Sequence, residues 1–222
     1  MTQAGSGGIR FTVDKFSTFT IVHIDGEKPS QLKAYVQGYA DGTFGPERGI
    51  TRAEMAAILT RVSGNAENTE KQAGKSYTDV SAGHWAKDAI VDVTKAGLMD
   101  GYPDGSFKPG QTMTRAEMAK IAARMLATTP GGNGSFSDIS GHWAQSAIEL
   151  AKAAGIIGGY SDGSFRPDQT LTRAEAVAMI SKLSGRAPLS EAPAKWRDVP
   201  KSHWAFGFIQ EASIDHDDAG RQ

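Results

Sequence analysis

The sequence contains one segment three times, each copy ending in Thr-Arg-Ala-Glu. The copies are GYADGTFGPERGITRAE from Gly38, GYPDGSFKPGQTMTRAE from Gly101 and GYSDGSFRPDQTLTRAE from Gly159. We call this segment a downstream half. Such a repeat indicates supersecondary units that bury their apolar faces against one another. A site formed by one copy is therefore expected three times.

A second segment, here called an upstream half, is also repeated. It has an aromatic residue, then Asp-Val or Asp-Ile, then His-Trp-Ala, and its copies lie at 77–86, 136–144 and 196–205. Two copies precede a downstream half. The third has none after it, and the downstream half at Gly38 has no upstream half before it. Three units are predicted, one of them split between the two ends of the chain.

These halves give the expected organisation of the chain. Unit one spans 31–63 and is completed by 195–214, unit two spans 76–127, unit three spans 135–185, and 195–222 form the C-terminal upstream half and tail. Stretches rich in Gly, Pro, Asn, Ser and Thr separate the units. Residues 9–24 alternate apolar and polar types and predict two short strands. Residues 1–30 are expected to be the remnant of a preceding β-rich module.

Helices are predicted after each Thr-Arg-Ala-Glu and after each His-Trp-Ala. The first kind carries one apolar stripe per helix, and the stripes are Met55/Ile58/Leu59/Val62, Met118/Ile121/Ala122/Met125 and Ala176/Met179/Ile180/Leu183. The second kind ends at Gly97 and Gly155, as expected of a helix C-cap. The predicted fold is mainly α, built from three helix-loop-helix units with a short β segment at the N-terminus.

Composition excludes several classes of function. The net charge is −1, whereas nucleic-acid binders are usually strongly basic. The sequence has no cysteine and no apolar run near the roughly 20 residues of a membrane span. No nucleophile elbow, phosphate loop or His-Glu-x-x-His motif is present. We therefore predict no catalysis, no cofactor, no nucleic acid and no membrane span.

The repeated Thr and Glu fit a helix capping box, but the arginine between them does not follow from capping. The arginines are Arg52, Arg115 and Arg173. A cation in the first helical turn opposes the helix dipole at a cost of roughly 0.3–1 kcal/mol. Two interpretations stay open. The guanidinium and the helix-start N–H groups form an anion site, or the arginine makes a structural ion pair.

Each His-Trp-Ala motif offers two further candidates, and its tryptophans are Trp85, Trp143 and Trp204. They serve either as core anchors or, if partly exposed beside an arginine, as platforms for a sugar ring. Three histidines related by a threefold axis are also a conceivable zinc site. Each precedes a large aromatic residue at a helix start, so packing or capping is favoured and no metal site is predicted.

The ordered, triplicated motifs resemble the S-layer homology domain family over residues 35–213. The resemblance implies a pseudo-threefold assembly, often described as a three-pronged spindle, on the surface of Gram-positive bacteria. It also implies non-catalytic anchoring to a secondary cell-wall polysaccharide through a terminal pyruvylated N-acetylmannosamine. Carried over, Arg52, Arg115 and Arg173 meet the carboxylate, Trp85, Trp143 and Trp204 form platforms, and Gly38, Gly101 and Gly159 supply backbone contacts.

Two departures from the family pattern and one alternative function accompany this resemblance, and the first departure is that the permutation leaves one unit dependent on the C-terminal segment. Residues 34–38 read AYVQG where the other units read GLMDG and GIIGG, so the groove of unit one is expected to bind differently or not at all. Arg115→Ala or Arg173→Ala is expected to weaken binding and leave the fold nearly intact. The alternative function is a protein–protein assembly module of a surface lattice, with the arginines in subunit salt bridges, and a wall hydrolase is a weaker third.

The permutation predicts how the chain closes. Residues 196–213 are expected to pack against 38–62 and to cover the apolar stripe that contains Met55 and Leu59. A monomer or a domain-swapped dimer satisfies this arithmetic equally well.

Overall fold

The computed structural model describes residues 31–63, 75–126 and 136–217. Within these ranges it contains six α-helices and one two-stranded antiparallel sheet. The helices are α1 (Arg52–Val62), α2 (Lys87–Lys95), α3 (Arg115–Leu126), α4 (Gln145–Ala153), α5 (Arg173–Leu183) and α6 (Phe206–Ser213), and the strands are β1 (Gln31–Leu32) and β2 (His216–Asp217). The mainly α prediction is confirmed. The strands expected at 9–24 and the module remnant expected at 1–30 lie outside the described residues.

Helices α1, α3 and α5 begin at the three Thr-Arg-Ala-Glu motifs, each with a capping box. At α1, Thr51 Oγ1 accepts a hydrogen bond from the Glu54 backbone N–H at 3.2 Å, and Glu54 Oε2 accepts one from the Thr51 N–H at 2.8 Å. The same reciprocal bonds form in the other two copies. The capping prediction is therefore confirmed, and each box satisfies helix-start donors that would otherwise lack partners.

The six helices pack as three pairs, α1 with α2, α3 with α4 and α5 with α6. In each pair, the helix after a His-Trp-Ala motif covers the helix of the preceding downstream half. Their apolar side chains belong to one core, in which Leu59 and Ile90 are fully buried. The expectation that the C-terminal helix covers α1 is wrong. Helices adjacent in sequence pair with each other, so α2 covers α1 and α6 covers α5.

A closed triangle of backbone hydrogen bonds joins the three units. The Ile50 N–H donates to the Leu171 carbonyl at 3.0 Å, Leu171 to Met113 at 2.8 Å, and Met113 to Ile50 at 2.9 Å. All three residues are buried, at 1% exposure or less. Since each holds the same place in its repeat, the triangle marks a pseudo-threefold axis through the core.

The C-terminal upstream half joins the loop of unit one within the single chain. The Asp198 carboxylate accepts hydrogen bonds from the Phe44 and Gly45 N–H groups at 2.8 and 2.7 Å. Strand β1, the first described element of the chain, pairs antiparallel with β2, the last one. The Ala212 carbonyl accepts bonds from the Tyr35 and Val36 N–H groups. Residues from both ends of the chain thus complete one unit, while α6 packs on α5.

Candidate functional site

Three equivalent grooves lie between the units, and each takes residues from all three. We name each groove after the unit whose loop glycine lines it. The unit-one groove is lined by Gly38, Arg173 and Trp85, the unit-two groove by Gly101, Arg52 and Trp143, and the unit-three groove by Gly159, Arg115 and Trp204. Their cavity volumes are about 170, 190 and 250 Å³ respectively. The structure therefore brings together one arginine, one glycine and one tryptophan from the candidate residues in each groove.

Each arginine of the Thr-Arg-Ala-Glu motif is buried and reaches into the next unit. The Arg115 Nε donates to the Phe165 carbonyl at 2.8 Å and its Nη2 to the Gly158 carbonyl at 3.0 Å. Its Nη1 forms an ion pair with Glu175 Oε1 at 2.5 Å. The guanidinium carbon also lies 5.1 Å from the centroid of the Tyr160 ring. The structural ion pair is thus present, and the same guanidinium lines a groove.

The contacts repeat cyclically around the axis. Arg173 donates to the carbonyls of Phe44 and Gln37 and pairs with Glu54 at 2.8 Å. Arg52 makes the equivalent carbonyl bonds into unit two. The side chains of the three arginines are only 5–7% exposed. This burial overturns the expectation that the two alanine variants leave the fold nearly intact, because removing such an arginine leaves buried polar groups without partners. Arg115→Ala and Arg173→Ala are therefore expected to destabilise the fold.

The N–H groups at the helix starts already have partners. At α1, the Arg52 N–H donates to the Gln111 carbonyl at 2.9 Å and the Ala53 N–H to the Pro109 carbonyl at 3.0 Å. Helices α3 and α5 make the matching bonds to the next unit. The part of the anion-site interpretation that relied on these N–H groups is therefore wrong. The arginine side chain remains as the groove's candidate for an anion.

The tryptophans of the three His-Trp-Ala motifs are exposed. Trp85, Trp143 and Trp204 have 64%, 61% and 61% of their surface accessible. Core anchoring is therefore wrong for these three residues. Indole rings are usually mostly buried, so three large exposed ones at equivalent places form a repeated apolar surface feature. Each lines one groove beside a buried arginine.

The loop glycines are required by close packing of an aromatic ring. A Cβ at Gly101 would lie 2.1 Å from Tyr77 Cε1, and one at Gly159 would lie 2.3 Å from Phe136 Cε1. At Gly38 the neighbour is Trp196, at 2.3 Å. The aromatic residue that opens each upstream half therefore fixes the glycine loop, and the loop forms one wall of the groove.

An aspartate of each upstream half holds the other end of the loop. Asp79 accepts hydrogen bonds from the Phe107 and Lys108 N–H groups at 2.8 and 2.7 Å. Asp138 and Asp198 make the same two bonds in the other units. Burial alone would raise the pKa of Asp79, but these N–H donors outweigh it and lower the pKa below its usual value. The ionised carboxylate thus keeps the loop in place.

The histidines before the tryptophans make local hydrogen bonds just before helices α2, α4 and α6. The Nδ1 atoms of His84, His142 and His203 each accept a hydrogen bond from the backbone N–H two residues later, at 3.1–3.2 Å. These bonds are not side-chain caps, because the bonded N–H belongs to the residue that precedes each helix. Each histidine ring also lies 5.4–5.9 Å from the ring of the next tryptophan, so the histidines have a packing role rather than a capping role. No group of three or more potential metal ligands occurs within the residues that the structure describes.

Several groove residues were not identified from the sequence. They are the glutamates that pair with the arginines, the tyrosines after the loop glycines and the last-turn cations Arg61, Arg124 and Lys182. The sequence does contain a pattern that could have identified the three last-turn cations. Each of these cations lies nine residues after the arginine of its Thr-Arg-Ala-Glu motif, and a helix places such residues at its far end.

A family model matches segments of all three units. The S-layer homology domain model matches residues 31–56, 76–119 and 135–177. The chain belongs to this family. The third upstream half, at 196–205, lies outside the matched segments, yet the structure places it on the loop of unit one. Within the described ranges, no helix is long and apolar enough to cross a membrane.

Two relatives of this chain are named as a cell-surface protein and an anchoring protein. The chain is 42% identical to Cell surface glycoprotein 1 of Acetivibrio thermocellus in an alignment of 205 residues, which covers 87% of the chain and 9% of that protein. It is 40% identical to the Cellulosome-anchoring protein of the same organism, covering 82% of the chain and 42% of that protein. An amylopullulanase of Thermoanaerobacterium thermosulfurigenes is 35% identical, with 82% and 11% covered. The chain spans less than half the length of these relatives. Its family and its surface relatives place it at the cell wall or cell surface.

Proposed function

We propose that this chain is a non-catalytic module that holds a surface protein on the cell wall by binding a secondary cell-wall polysaccharide in its three grooves. The polysaccharide end that fits is a pyruvylated N-acetylmannosamine. The observation that carries the proposal is that an exposed indole and an arginine of the Thr-Arg-Ala-Glu motif line every groove together. The name of the Cellulosome-anchoring protein, to which the chain is 40% identical, supports anchoring as the role.

The two side chains suit the two parts of an acidic sugar. An exposed indole face packs against the apolar face of a sugar ring. A guanidinium has five N–H donors in a planar fork that matches a carboxylate. In Arg115, three of its nitrogens already donate to Phe165, Gly158 and Glu175, which leaves two donors for a ligand. The ketal carboxylate of the terminal sugar would accept from these.

The size and number of the grooves also suit the end of a polymer. Their volumes, about 170–250 Å³, are below the roughly 300–1,000 Å³ of pockets that enclose a drug-sized ligand. Each groove would hold one terminal sugar with modest affinity. Three grooves on one body raise the total affinity, because the second and third contacts form at a high effective concentration.

The lattice-assembly alternative loses its main support in this structure. It assigned Arg52, Arg115 and Arg173 to salt bridges between subunits. All three instead pair with glutamates of the same chain and lie 5–7% exposed. These ion pairs within one chain take the place of the salt bridges between subunits that the alternative assigned to the arginines.

Retention on purified cell wall tests the proposal. The full chain should be retained on native wall and lost from wall whose pyruvate has been removed chemically. The Trp85→Ala/Trp143→Ala/Trp204→Ala variant should lose retention while its melting temperature stays near that of the parent, because these side chains are exposed. Matched Trp→Phe replacements at the same three sites should keep part of it. Equal retention on both walls would contradict the proposal, and release of soluble sugar would contradict the non-catalytic role.

A further inference from the structure

The unit-two groove differs from the other two at one helix position. Lys120 of α3 lines this groove, whereas Ala57 of α1 and Ala178 of α5 line the unit-one and unit-three grooves at the equivalent place. Lys120 is exposed, and its Nζ lies 5.7 Å from the centroid of the Trp143 ring. The unit-two groove thus has a cation next to its tryptophan that its counterparts lack.

The arginine of this groove is also held less tightly. Arg52 Nη1 lies 3.6 Å from Glu117 Oε1, beyond hydrogen-bond distance. The corresponding distances in the unit-three and unit-one grooves are 2.5 and 2.8 Å. Among the residues that the structure describes, Arg52 Nη1 makes no hydrogen bond, although its Nε and Nη2 donate to carbonyls. Its Nη1 donors are therefore open to a ligand.

Two acids line this groove, Asp100 and Glu117, and each has an arginine as its ion-pair partner rather than Lys120. Asp100 pairs with Arg124 at 2.5 Å, so these two charges offset each other. Across the described ranges, Lys120 forms no ion pair, and its recorded neighbour is the Trp143 ring. Lys120 and Arg52 line one cavity of about 190 Å³, so an anion bound in it lies near both cations.

We propose that Lys120 is a specificity-determining residue, which receives the carboxylate of the terminal saccharide together with Arg52, and that the unit-two groove therefore binds this saccharide more tightly than the other two grooves. This inference rests on the proposed function. The repeat alone predicts equal binding in three grooves, whereas this inference predicts that one of them binds more tightly. A second cation next to a carboxylate in a partly exposed site strengthens binding by about three- to tenfold.

Nuclear magnetic resonance of the full chain with ¹⁵N-labelled indoles separates the grooves. The chain has four tryptophans, of which Trp85, Trp143 and Trp204 each line one groove. The fourth, Trp196, donates from Nε1 to Ser213 Oγ at 2.9 Å and serves as an internal control. Single Trp→Phe variants assign the signals. The probe is pyruvylated N-acetylmannosamine, and N-acetylmannosamine without the ketal is the matched comparison.

The lining side chains of the three grooves carry the same summed charge, so the expected order of saturation follows from the place of Lys120 at Trp143 and from the open Arg52 Nη1. The Trp143 signal should reach half-saturation at a concentration about three- to tenfold lower than the signals of Trp85 and Trp204. Lys120→Ala should raise the half-saturation concentration at Trp143 by about the same factor and leave the other two curves unchanged. Lys120→Arg should retain most of the affinity, because it keeps the charge.

A reciprocal variant adds the cation where it is missing. Ala178→Lys should lower the half-saturation concentration at Trp204 about threefold or more, with no change at Trp143. If Trp143 does not respond first, or if Lys120→Ala leaves its curve unchanged, the inference is overturned while the proposed function stands. If none of the groove indoles responds to the pyruvylated sugar, both are overturned.

Discussion

Arg173 Nη1 lies 2.8 Å from Glu54 Oε1, although the two residues are 119 positions apart in the sequence. The same glutamate caps its own helix by accepting from the Thr51 N–H at 2.8 Å and accepts a third bond from Tyr39 Oη at 3.0 Å. One carboxylate therefore joins the last repeat to the first. The Thr-Arg-Ala-Glu motif does two structural tasks at once, since its Thr and Glu start a helix and its Arg reaches the next unit.

The first prediction concerns this link. Arg173→Ala should lower the free energy of unfolding by about 2–4 kcal/mol, because it leaves the Glu54 carboxylate, the buried Phe44 carbonyl and the Gln37 carbonyl without their arginine partner. Chemical denaturation measures this loss. Arg197→Ala, at an exposed arginine, is the matched control and should change stability by no more than about 0.5 kcal/mol. Equal midpoints for the two variants would show that the buried contacts of Arg173 contribute nothing to stability.

The second prediction concerns the loop glycine of unit two. Gly101→Ala places a Cβ 2.1 Å from Tyr77 Cε1 and 2.9 Å from the Ser106 carbonyl oxygen. The ring or the loop must move, and we expect a loss of about 1–3 kcal/mol. Gly110→Ala is the control, since a Cβ there meets no described atom within 4 Å. Urea midpoints that are equal for both variants would contradict the tight fit between loop and ring.

Local features of this fold could be predicted from the sequence, whereas contacts between repeats could not. The capping boxes follow from residues three positions apart, so Thr51 and Glu54 determine them without help from the rest of the chain. The partner of Arg52 lies in another repeat, and three copies of one motif do not indicate which copy meets which. For the same reason, the sequence predicts that α6 covers α1, whereas the structure packs α6 on α5.

The exposure of the tryptophans also lay beyond sequence reasoning. An apolar residue at a helix start favours burial on average, and nothing in the His-Trp-Ala motif indicates otherwise. Only the folded chain shows that Trp143 lies at the surface, while the small Ala144 that follows it is buried. The sequence leaves core anchoring and a platform role open, and the geometry supplies the exposure on which the platform role depends.

The third prediction is a dependence of stability on alkaline pH. Burial, followed by the charge of Glu211, raises the pKa of Tyr35 well above its usual value of 10.0. Above pH 10 the unfolded chain ionises Tyr35 while the folded chain keeps it neutral. The free energy of unfolding therefore falls as pH rises, by at most about 1.4 kcal/mol per pH unit. Denaturation of the parent and of Tyr35→Phe at pH 8–11 measures the difference.

Tyr35→Phe should be less stable at pH 8, by about 1 kcal/mol, since it loses the 2.7 Å hydrogen bond to Ser181 Oγ. Its stability should then fall less steeply than that of the parent as pH rises from 10 to 11. Parallel stability curves for the two proteins would mean that Tyr35 ionises equally in the folded and unfolded states.

The last prediction concerns the C-terminal segment. Deleting residues 195–222 removes Asp198 from the loop of unit one, removes α6 from the apolar face of α5, and removes Trp204 from the unit-three groove. Phe206 and Ile209, both buried, are lost from the core. Each contributes roughly 1.5–3 kcal/mol, so the melting temperature should fall by roughly 10 °C or more. The newly exposed face of α5 should promote association, which light scattering detects.

Trp204→Ala in the full chain removes only an exposed ring and should keep the melting temperature within about 2 °C of the parent. If the truncated chain and the full chain have the same melting temperature, the C-terminal upstream half does not hold the three units together.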